Sequence, residues 1–396
     1  MSARSTGTVT AVRVPKQRPA PGAAAGAPPP IRTGAFLIAA QFPGQGHAEA
    51  LDRAVSAAVA AEQAGLDSVW LAEHHFVPYG VCPSAATLAA LLLGRTRRIR
   101  IGTAVSVLPT QHPVALGEQA ALLHLTSGGR FTLGVGRGGP WVDLDVFGTG
   151  VDAFESGFPE SLDLLLRWLR SSRVGASGPR YSFPEVAVVP RATEQPLLHP
   201  FPGGSKGPEY AGGGLAPRAA AGGPPVMVAC TSMGTVRLAA EKGVPMLLGM
   251  HSNDEDKAAM VAAYRVAARE AGRTPDQIAR IEAEHMTAGV VQIEDSGAEA
   301  RRVLLKSMPG WLSYGLSAHR TVDGRERRMR DPQEYTELLC DLHAVGTPQL
   351  CADRISATAE RTGVRRFALL VEGSGDRELT LRNVERLGAE VLPLLV

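Results

Sequence analysis

From Ala35 onward, a short apolar run, a turn and an amphipathic stretch follow one another repeatedly, which limits the chain to parallel strands alternating with helices. The first unit is the run Ala35 to Ala40, then a helix in which Leu51, Val55 and Val59 recur every fourth residue and Gly65 closes the C-terminus. A second strand, Ser68 to Ala72, leads to a helix around Ala86 to Leu93, and a third, Ile99 to Val107, to a helix from Val114 to Leu125. Thr110-Gln111-His112-Pro113 supplies that helix with a cap and an early proline. The pattern continues with strands at Phe131 to Val135, Val226 to Ala229, Pro245 to Leu248, near Ala283 to Val291, and Arg366 to Val371. Helices are expected near Ser161 to Leu169, Thr235 to Lys242, Asp254 to Ala271, Ala298 to Met308, after Pro348, and at Leu379 to Val391. Eight such units in about 365 residues fit a (β/α)8 TIM barrel with rim insertions. A doubly wound open sheet is the competing architecture.

Three stretches break the rhythm. Residues 1–31 are rich in Ala, Pro and Gly, carry Arg4, Arg13, Lys16 and Arg18, and contain no acid, as a disordered tail would. The barrel then spans 32–396. Residues 201–224 hold eight Gly and four Pro, which places a flexible insertion at about 194–224. Residues 309–331 carry Arg325, Arg327, Arg328 and Arg330 with little apolar periodicity, and are expected to form a mobile lid at the rim.

The chemistry concentrates where the second apolar run ends in Glu73-His74-His75-Phe76, because barrel strands deliver reactive groups at their C-terminal ends. Strand alternation would send His74 and His75 to opposite sides, so a shared metal site is not expected. Gly134 to Trp141 follows another strand, where glycines allow close approach to the backbone and Arg137 offers a fixed cation for phosphate. Thr231-Ser232-Met233-Gly234-Thr235 opens a helix, and hydroxyl caps with first-turn N–H groups suit an anion. Each signal alone is equally well met by an ordinary turn or cap. Two phosphate-competent elements on one rim point to a phosphorylated cofactor.

Composition narrows the partner. With 41 basic and 39 acidic side chains the formal charge is only +2, so neither nucleic acid nor an anionic membrane is the expected partner, and a small molecule is. Cys82, Cys230, Cys340 and Cys351 lack zinc or disulfide spacing. No apolar run reaches the roughly 20 residues that span a bilayer, and no apolar leader opens the chain. A cytoplasmic protein without a metal is expected.

Glu73 to Phe76, Gly102-Thr103-Ala104-Val105, Leu108 to Pro113, Gly129-Arg130-Phe131, Gly134 to Gly138 and Val146-Phe147-Gly148-Thr149 occur in this order. With Pro245-Met246, Gly346-Thr347-Pro348 and Val391-Leu392-Pro393, they resemble the bacterial luciferase-like flavin-dependent monooxygenases, in particular the luciferase alpha subunits, over roughly residues 33–395. The resemblance implies reduced FMN supplied by a separate flavin reductase, O2 as co-substrate, a C4a-peroxyflavin, oxygenation of a small carbonyl-containing substrate, and a homodimer. It makes His74 the active-site acid or base and puts Asp143 close to the flavin ring. It places Ala104-Val105 beneath the ring as a non-prolyl cis peptide, and Arg137, Thr231, Ser232 and Thr235 at the flavin phosphate.

Two departures accompany it: Gly136 stands where bacterial luciferase has a reactive cysteine, and Cys230 where it has a glutamate. An F420-dependent oxidoreductase on the same barrel and a non-catalytic flavin-binding subunit are the alternative readings.

Overall fold

The computed structural model describes residues 29–196, 222–325 and 330–395. The described residues from Ile31 onward form one compact unit. Most of the expected tail and the centre of the 194–224 insertion lie outside the described residues. Ile31, assigned to the tail, instead packs against the core.

Eight strands form the barrel: β1 (Arg32–Leu37), β2 (Ser68–Leu71), β3 (Arg100–Thr103), β4 (Phe131–Gly136), β5 (Val226–Cys230), β6 (Met246–Leu248), β7 (Met286–Ile293) and β8 (Arg366–Leu370). Every neighbouring pair is parallel, and β8 pairs back to β1, where Gly34 faces Ser68 of β2 on one side and Ala368 of β8 on the other. The ring is closed, as the (β/α)8 expectation requires, and no barrel strand is left with an open edge.

The apolar residues sort into two clusters on either side of the strands. Val69, Ile101, Leu133 and Val228 face outward against the surrounding helices. Phe36, Trp70, Met227 and Leu370 fill the interior. Trp70 is accommodated because Gly102 lies across from it: a Cβ there would sit 2.2 Å from the indole ring. A buried carboxylate locks β1 to β8. Glu372, just past β8, accepts the N–H groups of Ile38 and Ala39 at 2.7 and 3.1 Å, with the Arg53 guanidinium 3.5 Å away.

Several elements depart from the sequence expectations. The run Ile99 to Val107 is not one strand, since β3 ends at Thr103 and only Ser106–Val107 resumes pairing, now with β4. Arg173–Ser177 and Ser182–Ala187 form an antiparallel hairpin, and Pro275–Glu282 forms a helix; neither was anticipated. The lid expected at 309–331 begins too early, because one helix runs Gly297–Ser317 straight through Pro309. Leu304, Met308, Trp311, Leu312 and Gly315 supply the buried stripe that extends it.

That helix pairs with Pro332–Leu342 as a hairpin over the barrel mouth, and the interior core continues unbroken into it through Leu304, Trp311, Tyr335 and Leu339. The Trp311 indole stacks on Tyr79 with centroids 4.7 Å apart and donates to the Tyr79 carbonyl at 2.9 Å. Trp311→Ala should therefore lower stability by about 3–5 kcal/mol in a urea unfolding experiment; a loss below about 1 kcal/mol would show that the hairpin does not rest on this ring.

Candidate active site at the barrel mouth

Three consecutive strand exits build the site. At the end of β2, Glu73 is buried and accepts two backbone N–H groups, from Ala85 at 3.1 Å and from Val107 at 3.0 Å. It thereby ties the β2 exit to the start of the following helix, Ala85–Arg95, and to the segment after β3. Its other neighbour is the His75 Nε2, 3.6 Å away.

His74 donates its backbone N–H to the Cys82 carbonyl at 2.9 Å and meets the Tyr79 ring edge-on at 5.0 Å. Burial, then His319 and His75, pulls its pKa down to about 3, so the imidazole is neutral. The alternation that should separate the two histidines does not hold. β2 ends at Leu71, so residues 74 and 75 lie past the strand, and both line one cavity.

The exit of β3 supplies Ala104 and Val105, joined by a cis peptide bond as the resemblance implied. The exit of β4 supplies Asp143, which opens the short helix Asp143–Val146 and accepts the Leu144 N–H at 2.9 Å. Burial raises its pKa. His74, His75, Ala104, Val105, Asp143 and His319 line a cavity of about 170 Å³. Among the described residues no cluster suited to a metal ion is found.

The phosphate candidates are placed differently. Arg137 lies over the Phe154 ring, 4.2 Å from its centroid, and borders a second cavity of about 510 Å³ with Glu155, Asp323 and Arg325. Thr231, Ser232 and Thr235 line neither cavity. Ser232 and Thr235 form a capping box at the start of the helix Met233–Lys242, each side chain accepting the other's backbone N–H. Their hydroxyls are thus engaged in capping, which leaves the first-turn N–H groups of Met233 and Gly234 as the donors without an intrahelical acceptor. Cys230 is buried beside them, its thiol pushed up to about 12 by burial.

Trp141, the end of the Gly134 to Trp141 stretch, also lines the histidine cavity, as do His319 and Arg320, which belong to no sequence motif. The ring nitrogens His74 Nδ1 and His75 Nε2 are buried without hydrogen-bond partners. Three imidazoles lining one small space suit a guest whose edge carries both donors and acceptors, which a flavin ring does.

The family model described as luciferase-like monooxygenase matches residues 31–366. The chain belongs to this family. It is therefore a flavin-dependent monooxygenase, an oxidoreductase that incorporates oxygen. The alkanal monooxygenase alpha chain of the Kryptophanaron alfredi symbiont is 26% identical over 382 residues, covering 92% of this chain and 98% of that one. The fold is shared with a monooxygenase of Streptomyces bottropensis, at 23% identity and TM-score 0.72 over 92% of this chain and 99% of the other. It is shared too with the oxygenating constituent of 3,6-diketocamphane monooxygenase of Pseudomonas putida, a type II Baeyer-Villiger enzyme in complex with FMN, at 21% identity and TM-score 0.67, covering 93% and 99%. An F420-dependent secondary alcohol dehydrogenase has the same fold at 16% identity and TM-score 0.64, covering 91% and 99%.

In this luciferase-like monooxygenase, Gly136 has a steric reason: a Cβ there would sit 2.4 Å from Val105 Cγ2. Gly136→Ala should cost about 1–3 kcal/mol by overpacking, and Val105→Ala in the same chain should recover most of it. Urea unfolding of the single and double variants checks this; simple additivity would contradict it.

Proposed function

We propose that the protein binds FMN with the ring end at the histidine cavity and uses it, reduced by a separate flavin reductase, to oxygenate a small carbonyl-containing substrate. The observation that carries this reading is the convergence of His74, Ala104–Val105 and Asp143, from three different strand exits, on one cavity at the C-terminal face of the barrel. Reduced FMN, when bound, supplies the electrons that activate O2, so that one oxygen atom goes to the substrate and the other leaves as water.

The chain's own residues supply the rest. His74, kept neutral by burial, offers a ring nitrogen that can hold or pass a proton at Nδ1. Asp143, whose proton is held more tightly because of burial, is the second proton-bearing group of the cavity. Val77, Val105, Val107 and Trp141 wall the cavity against water. Arg137 and the first turn of the helix Met233–Lys242 are assigned to the phosphate.

Two-component operation is supported by the lack of a dinucleotide fingerprint for NAD(P)H in the sequence. The four cysteines are free and buried, which suits the reducing cytoplasm.

Product analysis tests the reading: photoreduced FMN with O2 should give oxygenated product, and reduced F420 under anaerobic conditions should give none. Anaerobic turnover with reduced F420 would sink the proposal in favour of hydride transfer. Within it, His74→Ala should lower substrate-dependent product formation about 100-fold or more. The wild-type pH profile should show no step from His74 between pH 5 and 9, since its titration at about 3 leaves the ring neutral across that range. Arg137→Ala should weaken FMN binding by about 1.5–3 kcal/mol in a flavin titration; unchanged affinity would remove Arg137 from the phosphate site.

A further inference from the structure

Beyond the helix Gly297–Ser317 the chain crosses the barrel mouth as a short strap. Thr321 bridges to Trp141 in antiparallel fashion, the Val142 N–H donates to the Arg320 carbonyl at 2.9 Å, and the Val322 N–H donates to the Pro140 carbonyl at 2.9 Å. On the other side, the His319 N–H donates to the Leu316 carbonyl at 3.2 Å, at the end of the helix. The backbone around residue 319 is thus anchored on both flanks, and the fold sets the direction of its side chain.

That side chain enters the histidine cavity from a different wall than His74 does. The His319 ring leans on Trp141 with centroids 4.7 Å apart and lies 6.1 Å from Tyr79, which in turn meets the His74 ring at 5.0 Å. Both rings therefore border the same 170 Å³, one carried by the β2 exit and one by the strap. Ligand pockets usually begin at about 300 Å³, so this space takes part of an FMN rather than all of it.

The guest's chemistry follows from the walls. Burial lowers the pKa of His319 as well, against the opposing effect of backbone hydrogen bonds from its ring to Gly315 and Leu316. A neutral imidazole has one donor and one acceptor nitrogen. His319 and His74 both line the cavity, and an apolar guest would offer neither imidazole a hydrogen-bond partner. A heteroaromatic edge with ring nitrogens and carbonyls would satisfy both.

We propose that His319 is a further ligand-contacting histidine of this site, hydrogen-bonding the heteroatom-bearing edge of the flavin ring from the strap. The inference rests on reading the cavity as the flavin-ring site. It makes the strap part of the binding site and gives a role to a residue that no sequence motif marks.

The test is a binding experiment on the full chain that needs no substrate. Photoreduced FMN and photoreduced riboflavin are each titrated anaerobically, followed by tryptophan fluorescence, into the wild type, H319A, H319F and H319Q. H319A and H319F should weaken both flavins by the same factor, about fivefold, as expected for one lost hydrogen bond. H319Q keeps a donor and an acceptor and should stay within about twofold of the wild type. Thermal unfolding of the free variants identifies any that fails to fold, and comparison of H319F with H319Q then suffices.

Wild-type affinity in H319A, or equal affinity in H319F and H319Q, would overturn the inference and leave the flavin reading intact. A loss confined to FMN would move His319 to the phosphate end and overturn it too. A wild-type protein that binds neither flavin would overturn the cavity assignment itself, and the inference with it.

Discussion

The Glu73 carboxylate, buried at the end of β2, holds two backbone N–H groups that would otherwise be unpaired, one opening the helix Ala85–Arg95 and one at Val107. Without it each buried N–H would cost about 1–3 kcal/mol, and the two chain segments would lose their common reference point. His74 and His75 follow directly in sequence, and Ala104–Val105 immediately precedes the segment that Glu73 anchors. The relative placement of the site's first two walls therefore depends on one side chain that does not itself need to touch a ligand.

The barrel mouth is covered because the interior core does not stop at the strand ends. It continues from Trp70, Met227 and Leu370 through Leu304, Met308 and Trp311 into the rim hairpin. The Tyr79–Trp311 stack joins this hairpin to the β2 exit, and Gly315 makes the join close, since a Cβ there would meet Tyr79 Cα at 2.6 Å. Packing at the rim thus positions the end of the helix Gly297–Ser317, and with it the strap that brings His319 to the cavity. Stability and site geometry share the same residues, so changes at the hairpin act on both.

Much of this was legible in the sequence. The apolar runs located all eight strands, because a parallel barrel buries both faces of each strand and so writes continuous hydrophobic segments. Family resemblance placed His74, Ala104–Val105 and Asp143, which the structure brings to one cavity. The interruption at Ala104–Val105 was hidden within an apolar run, and the alternation rule failed for His74 and His75 because they lie beyond β2. Pro309 misled in the other direction: its usual meaning as a helix breaker masked the stripe from Leu304 to Gly315 that packing favours. The exposed hairpin of Arg173–Ser177 and Ser182–Ala187 left little apolar pattern to read. His319 is local to no motif, and its position follows from the helix end at Leu316 and the antiparallel bridge between Thr321 and Trp141.

Flavin chemistry on this barrel divides between oxygen transfer and hydride transfer, and the common fold does not choose between them. The family assignment favours oxygen transfer. The most direct measurement is mass spectrometry of products formed from alkanals and cyclic ketones with reduced FMN under ¹⁸O2. One ¹⁸O atom per oxygenated product is the predicted result. Unlabelled product, formed equally well without oxygen, would contradict it.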